Sequence, residues 1–225
     1  MKRIFSLFFT FFILIASSGC GGHAVPAWKR HSFNYLERAK HLYLTGDRHK
    51  ADRYFEKAVE EITKSGNLTV LARAYLTRCS LKVAVLIPFS CYDFNMIDDI
   101  ESDAEHRAFY LFLSGALETL DVDMLPRRYA RVVSAVRTDS LTGVNVALAR
   151  IDDPLSRIIA AGVVVSIHMF DETTLQIALD TASEQGWKLA VLRYLEELKR
   201  LYAENGNASR AAYIQEKIQC ITTTK

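Results

Sequence analysis

From Ser32 to the C-terminus, apolar residues recur at three- and four-residue steps almost without a break. That spacing lays them along one stripe of an α-helix, whereas a half-buried strand needs strict alternation. The 225 residues contain only 4 prolines, and no run alternates cleanly enough to read as a strand. The chain is therefore expected to be all-α. Hydrophobic residues make up 50% of it, ample material for a continuous core, so disorder is not the expectation.

Turn chemistry divides the stripe into about ten helices joined by short loops. Ser32 caps the first, which Gly46-Asp47 stops after Thr45. The second runs from Arg48 to Lys64, and the third from Leu68 to Ile87, where Pro88 closes it. Residues Pro88 to Met96 read as an aromatic-rich loop. A fourth helix is expected over Asp99 to Leu120, and Pro126 opens a fifth to Val136. Thr138 to Arg150, Pro154 to Met169, Glu172 to Gly186, Trp187 to Glu204 and Ser209 to Ile221 follow. Asp153 and Asp171 are the clearest start signals, the first because a proline at the opening helical position follows it.

Tyr35, Ala39, Leu42, Gly46, Ala51, Phe55 and Ala58 have a further regularity. Small residues stand where two antiparallel helices would cross, and Ala51-x₃-Phe55 supplies an alanine-to-phenylalanine step. The pattern resembles the tetratricopeptide repeat, a helix pair of about 34 residues. Leu198, Tyr202, Gly206 and Ala211 reproduce the offsets more weakly, with Gln215 where the aromatic belongs. The repeat's proline is absent after both, and residues 67–186 carry no motif that aligns. The resemblance implies stacked antiparallel helix pairs in an α-solenoid, and a concave groove offered to a peptide or protein partner. Periodicity alone is equally satisfied by another solenoid or a compact bundle.

The N-terminus carries an address. Lys2 and Arg3 precede an uncharged apolar run from Ile4 to Ala16, followed by Ser17, Ser18, Gly19 and Cys20. This is the layout of a secretory signal, and the run is short of the roughly 20 apolar residues of a membrane span. A cysteine directly after small residues resembles the lipobox of bacterial lipoproteins, although Ser17 stands where that family usually has leucine. The resemblance implies cleavage before Cys20, a diacylglycerol on its sulfur and, with Gly21 rather than aspartate next, residence in the outer membrane facing the periplasm. Ordinary cleavage after Ser18 and an uncleaved anchor stay open as alternatives. The expected organisation is a signal peptide over 1–19, a lipidated tether over 20–31 and a helical domain over 32–225.

Of the 28 lysines and arginines, two lie in the leader, which leaves 26 against 26 acids. A balanced charge argues against a nucleic-acid partner, which demands a basic face to displace counterions. Besides Cys20 the chain has Cys79, Cys91 and Cys220. Cys79 and Cys91 are the candidate disulfide, one late in a helix and the other just past the Ile87-Pro88 break; burial as small hydrophobes is the alternative. The cysteine and histidine spacings match no zinc site, and no glycine-rich phosphate loop appears, so neither metal nor cofactor is expected.

Ser102, Asp103 and His106 share one side of a helix by spacing, but a hydrolytic triad needs its nucleophile on a strained turn. An acid-rich first turn accounts for them better, and no enzymatic activity is expected. His168 stands beside Ile167 and Met169 in the most apolar helix, and His41 has no ligand-spaced partner. For partner binding the candidates are Tyr35, Leu42, Phe89, Tyr92 and Phe94. Either the loop aromatics fold back as a plug or they rim a groove. The expected function is a membrane-anchored periplasmic binding or assembly scaffold, or an accessory subunit of an envelope transport or secretion complex. A small-molecule-binding or hydrolytic lipoprotein is the remaining alternative.

Overall fold

The computed structural model describes residues 25–223. Among them are eleven α-helices and no strand, as the periodicity predicts. They are α1 (Ala27–Thr45), α2 (Arg48–Thr63), α3 (Leu68–Ala84), α4 (Tyr92–Asp98), α5 (Ala104–Ser114), α6 (Arg127–Arg137), α7 (Leu141–Ala149), α8 (Pro154–Ser166), α9 (Glu172–Glu184), α10 (Lys188–Glu204) and α11 (Ala208–Thr223). A short 3₁₀ turn, Val122–Met124, precedes α6. The leader and Cys20 lie outside the described residues. Residues 27–31, expected in the tether, belong instead to α1, because Pro26 presets the backbone just before a helix as well as Ser32 would.

Local chemistry fixes the helix ends. Gly46 adopts φ 103° and ends α1, its N–H donating to Leu42 and Tyr43 carbonyls. Asp47, Asn67, Ser140 and Asp153 each accept a backbone N–H in the first turn of the helix that follows. Asp171 and Thr174 form a reciprocal capping box at α9. The expected Asp99–Leu120 helix is shorter: it starts at Ala104, capped by Asp103, and Gly115 at φ 78° ends it.

Consecutive helices pack on one another through small residues. Between α1 and α2 the crossing is made by Ala39, Ala51 and Ala58, all buried, with Phe55 and Ile62 beside them. The deepest element is α8: every residue from Ile158 to Val165 is buried, the mark of a helix enclosed on all sides. It meets α3, α5, α6, α7 and α9, and α10 returns to touch α1, closing the stack. Gly162 makes this possible, since a Cβ built there would stand 2.1 Å from the Val83 carbonyl oxygen of α3. Tyr194 of α10 donates its hydroxyl to the Ile158 carbonyl at 3.1 Å, wholly buried.

Arg137 holds the irregular 115–121 segment. Its guanidinium donates to the carbonyls of Leu117 at 2.6 Å, Leu120 at 2.6 Å and Glu118 at 3.3 Å. Hydrogen bonds from a charged donor contribute more than neutral ones. Arg137→Met is expected to lower stability by about 2 kcal/mol, read as a shift in the urea midpoint at constant slope. An unchanged midpoint would mean that water serves these carbonyls as well.

Candidate binding cleft

A cleft of about 670 Å³ opens among the described residues, within the roughly 300–1,000 Å³ span of ligand sites. Its walls come from distant parts of the chain: α1, α3, α5, α6, the start of α8 and the α9–α10 turn. Buried Leu44, Ser80, Ser156 and Ile159 form its floor. Half-buried Phe109 and Trp187 stand at the sides. Gly186 at φ 66° ends α9 and sets Trp187 at the head of α10, so a turn glycine positions the indole.

Charges of both signs rim the opening. Lys40 pairs with Glu37 at 2.6 Å, and Arg128, His41 and Asp153 are exposed. The floor hydroxyl of Ser80 donates to the Thr77 carbonyl within its own helix at 2.8 Å. Asp153 spends one carboxylate oxygen on the Ser156 backbone N–H at 2.7 Å. Beneath them the Tyr129 phenol is pushed above its ordinary range by burial, against the opposing hydrogen bond with Ser156. These polar groups are engaged in holding helix ends. Phe109 and Trp187 thus give the cleft two aromatic side chains above a mixed floor, with both charge signs at its mouth.

A second cavity of about 430 Å³ lies toward the C-terminal end of α8, lined by Val83, Leu86, Phe89, Leu113 and Val165. The five residues expected to line one groove are dispersed between core and surface. Leu42 and Phe94 are core. Tyr35 is half-buried against Tyr54 at 6.1 Å, and Phe89 packs edge-on against Tyr110 at 5.2 Å. Tyr92 alone is well exposed. The expected 88–96 loop in fact contains the start of α4, which turns Phe94 inward and Tyr92 outward. Sequence reasoning missed Phe109 and Lys40 as cleft residues and left Trp187, just after Gly186, between a groove residue and a lock on a helix start; only the fold brings the three together.

Cys79 and Cys91 are joined by a disulfide across 12 residues of chain. The Ser102, Asp103 and His106 set is not assembled: Ser102 donates to Asp98 at 2.9 Å, and Asp103 caps the His106 backbone N–H at 2.9 Å. His106 is buried, and its Nδ1 has no hydrogen-bond partner. Burial pushes its imidazole below the ordinary range. Asp103, Glu105 and Asp98 pull the other way, and Arg73 adds to the lowering. Below about pH 6.5 the unfolded chain takes up a proton that the folded chain resists. Stability is therefore full above that pH and declines as the pH falls through the depressed value. His106→Phe is expected to flatten this decline between neutral and mildly acid pH; a decline identical to wild type would place the sensitivity elsewhere. His168, expected inside an apolar helix, instead lies exposed just beyond the end of α8 at φ 59°.

Among the described residues no group of three or more His, Cys, Asp or Glu side chains stands close enough to hold a metal ion. No helix among them is long and apolar enough to cross a membrane. No family model matches the chain, and neither a curated protein nor a solved structure resembles it significantly.

Proposed function

We propose that the chain is a membrane-anchored lipoprotein of the bacterial envelope, a scaffold that holds a segment of a protein partner in the cleft between α1, α3 and α8. The observation that carries this reading is the cleft of about 670 Å³, with a floor of Leu44, Ile159, Ser80 and Ser156, Phe109 and Trp187 at its sides and a rim of both charge signs. Aromatic walls with a mixed polar rim suit a peptide segment, whose side chains anchor while its backbone meets the rim. The Cys79–Cys91 disulfide supports an oxidising compartment, in keeping with the secretory layout before Cys20. Lipid on Cys20 supplies the anchor in this reading, each buried methylene contributing about 0.8 kcal/mol.

The test is photo-crosslinking in intact cells from a probe placed at Lys40, with the adduct sequenced. A single envelope protein crosslinked through one segment, lost in Trp187→Ala and reduced about tenfold in Cys20→Ala, is the expected result. Adducts that are unchanged by Trp187→Ala would remove the cleft from the binding role. Retention of the adduct and of membrane association in Cys20→Ala would remove the anchor.

A further inference from the structure

We propose that α4 is a second docking surface, which takes a basic amphipathic helix of a protein partner. Tyr92, Met96 and Ile100 are 71%, 53% and 76% exposed. They stand four residues apart, and the helical register continues past α4, because the N–H groups of Ile100 and Glu101 both donate to the Ile97 carbonyl at 2.9 Å. The three side chains therefore form one stripe. Large apolar side chains repeated along one helix face, methionine among them, are characteristic of surfaces that take a partner helix.

The opposite face of α4 is fixed. Phe94 and Ile97 are buried, Phe94 stacks on Tyr110 at 5.2 Å, and the disulfide pins Cys91 immediately before the helix. The stripe is thus presented on a rigid support rather than on a loop, which reduces the ordering cost of association.

Charge selects the occupant. Residues 92–105 contain six acids and no lysine or arginine. Arg78 reaches Asp93 at 3.4 Å and Arg107 reaches Asp98 at 2.6 Å. Among the described residues, Asp99, Glu101 and Glu105 have no cationic partner; Glu101 accepts only from Thr69 at 3.1 Å. Beside the stripe lies a hollow of about 340 Å³ lined by Asn95, Asp98, Asp99, Arg107 and Tyr110; Arg107 already occupies Asp98, and the exposed Asp99 is the carboxylate left for a lysine or arginine next to an apolar anchor. An anionic lipid surface would be repelled by this rim. A second copy of the chain offers exposed Arg127, Arg128 and Arg131 on α6, but the apolar face of that helix, Tyr129, Val132 and Val133, is already buried in its own core. The occupant we assign is a different protein, one with leucine-like anchors and basic flanks on the same helix; the exposed Arg210, Tyr213 and Lys217 of α11 make a second copy the competing occupant, which self-association reads.

This inference shares with the scaffold reading only the premise of a protein partner; its test needs neither the anchor nor the cleft. The full chain, in nanodiscs of zwitterionic lipid if it partitions to membrane and in buffer otherwise, is titrated with two fluorescent helical peptides of about four turns. They share a leucine stripe, and the polar positions are all lysine in one and all glutamate in the other. The lysine peptide should bind at least about tenfold more tightly, weaken with added salt, and lose about tenfold in the triple variant Tyr92→Ser, Met96→Ser, Ile100→Ser. The variant Asp99→Asn with Glu101→Gln should lose affinity for the lysine peptide alone. Equal binding of the two peptides, or affinity unmoved by the triple variant, overturns the proposal. So does self-association of the full chain that the triple variant abolishes, since the stripe is then a dimer face. Thermal melts of both variants should match wild type.

Discussion

Gly162→Ala is expected to destabilise the domain by about 2 kcal/mol, although the same change in an open helix stabilises it by about 1 kcal/mol. The added methyl would stand 2.1 Å from the Val83 carbonyl oxygen and 2.8 Å from its carbon. Both are backbone atoms of α3, so no rotamer change relieves the contact and the two helices must separate. Overpacking of this kind costs about 1–3 kcal/mol and occasionally more, and the upper part of that span outweighs the gain in helix propensity. Gly162→Val should be worse, because a branched side chain meets the same wall. Urea unfolding at constant slope measures both. A stabilised Gly162→Ala protein would mean that α3 and α8 do not approach this closely.

Breaking the Cys79–Cys91 bond should cost about 3 kcal/mol by the chain-entropy relation for a closed loop of this size. For a domain of this length that is a fall of about ten degrees in melting temperature. The loss concentrates locally, since the bond ties α3 to the segment that leads into α4, whose other tethers are Phe94, Ile97 and the Phe94–Tyr110 stack. Cys79→Ser with Cys91→Ser should melt at the temperature of the reduced wild type and show no further response to reductant. If wild type melts at one temperature with and without reductant, the bond contributes nothing to the folded domain.

Helix identity was legible where single residues carry an unambiguous signal. Asp153 before Pro154, Asp171, Gly46 and Gly186 each mark an end that the structure places within a residue or two. Two of the overlong helices share a physical cause. After α3, α6 and α8 the chain turns through Leu86, Asp139 and His168 at φ 56°, 50° and 59°. In each case the following N–H reaches back five residues, as in Ile87 to the Lys82 carbonyl at 2.9 Å and Met169 to Val164 at 2.9 Å. These are the bonds of a glycine-type helix stop made by residues with side chains. Leucine and histidine give no warning of it, so the periodicity carries the third expected helix on to Ile87 and the one opened by Pro154 on to Met169. The α4 helix was missed for another reason. Its seven residues, four of them acids or aromatics, hold no full apolar period, and the helix stands because Phe94 and Ile97 find a core supplied by α3 and by Tyr110 of α5. The cleft was less legible still: Lys40, Phe109 and Trp187 are far apart in the chain, and no spacing rule connects them.

The placement of α8 bears on how the chain comes to be folded at all. In an open array each unit touches only its neighbours, so the first units can set as they emerge. Here the central helix needs α3 and α5 before it in the chain and α9 after it, and α10 must return to α1. The core therefore cannot consolidate until nearly the whole chain is present, and contacts of long sequence separation slow the search. Late consolidation of the core leaves the early helices exposed to proteolysis until the C-terminal helices have arrived, whichever compartment the chain folds in.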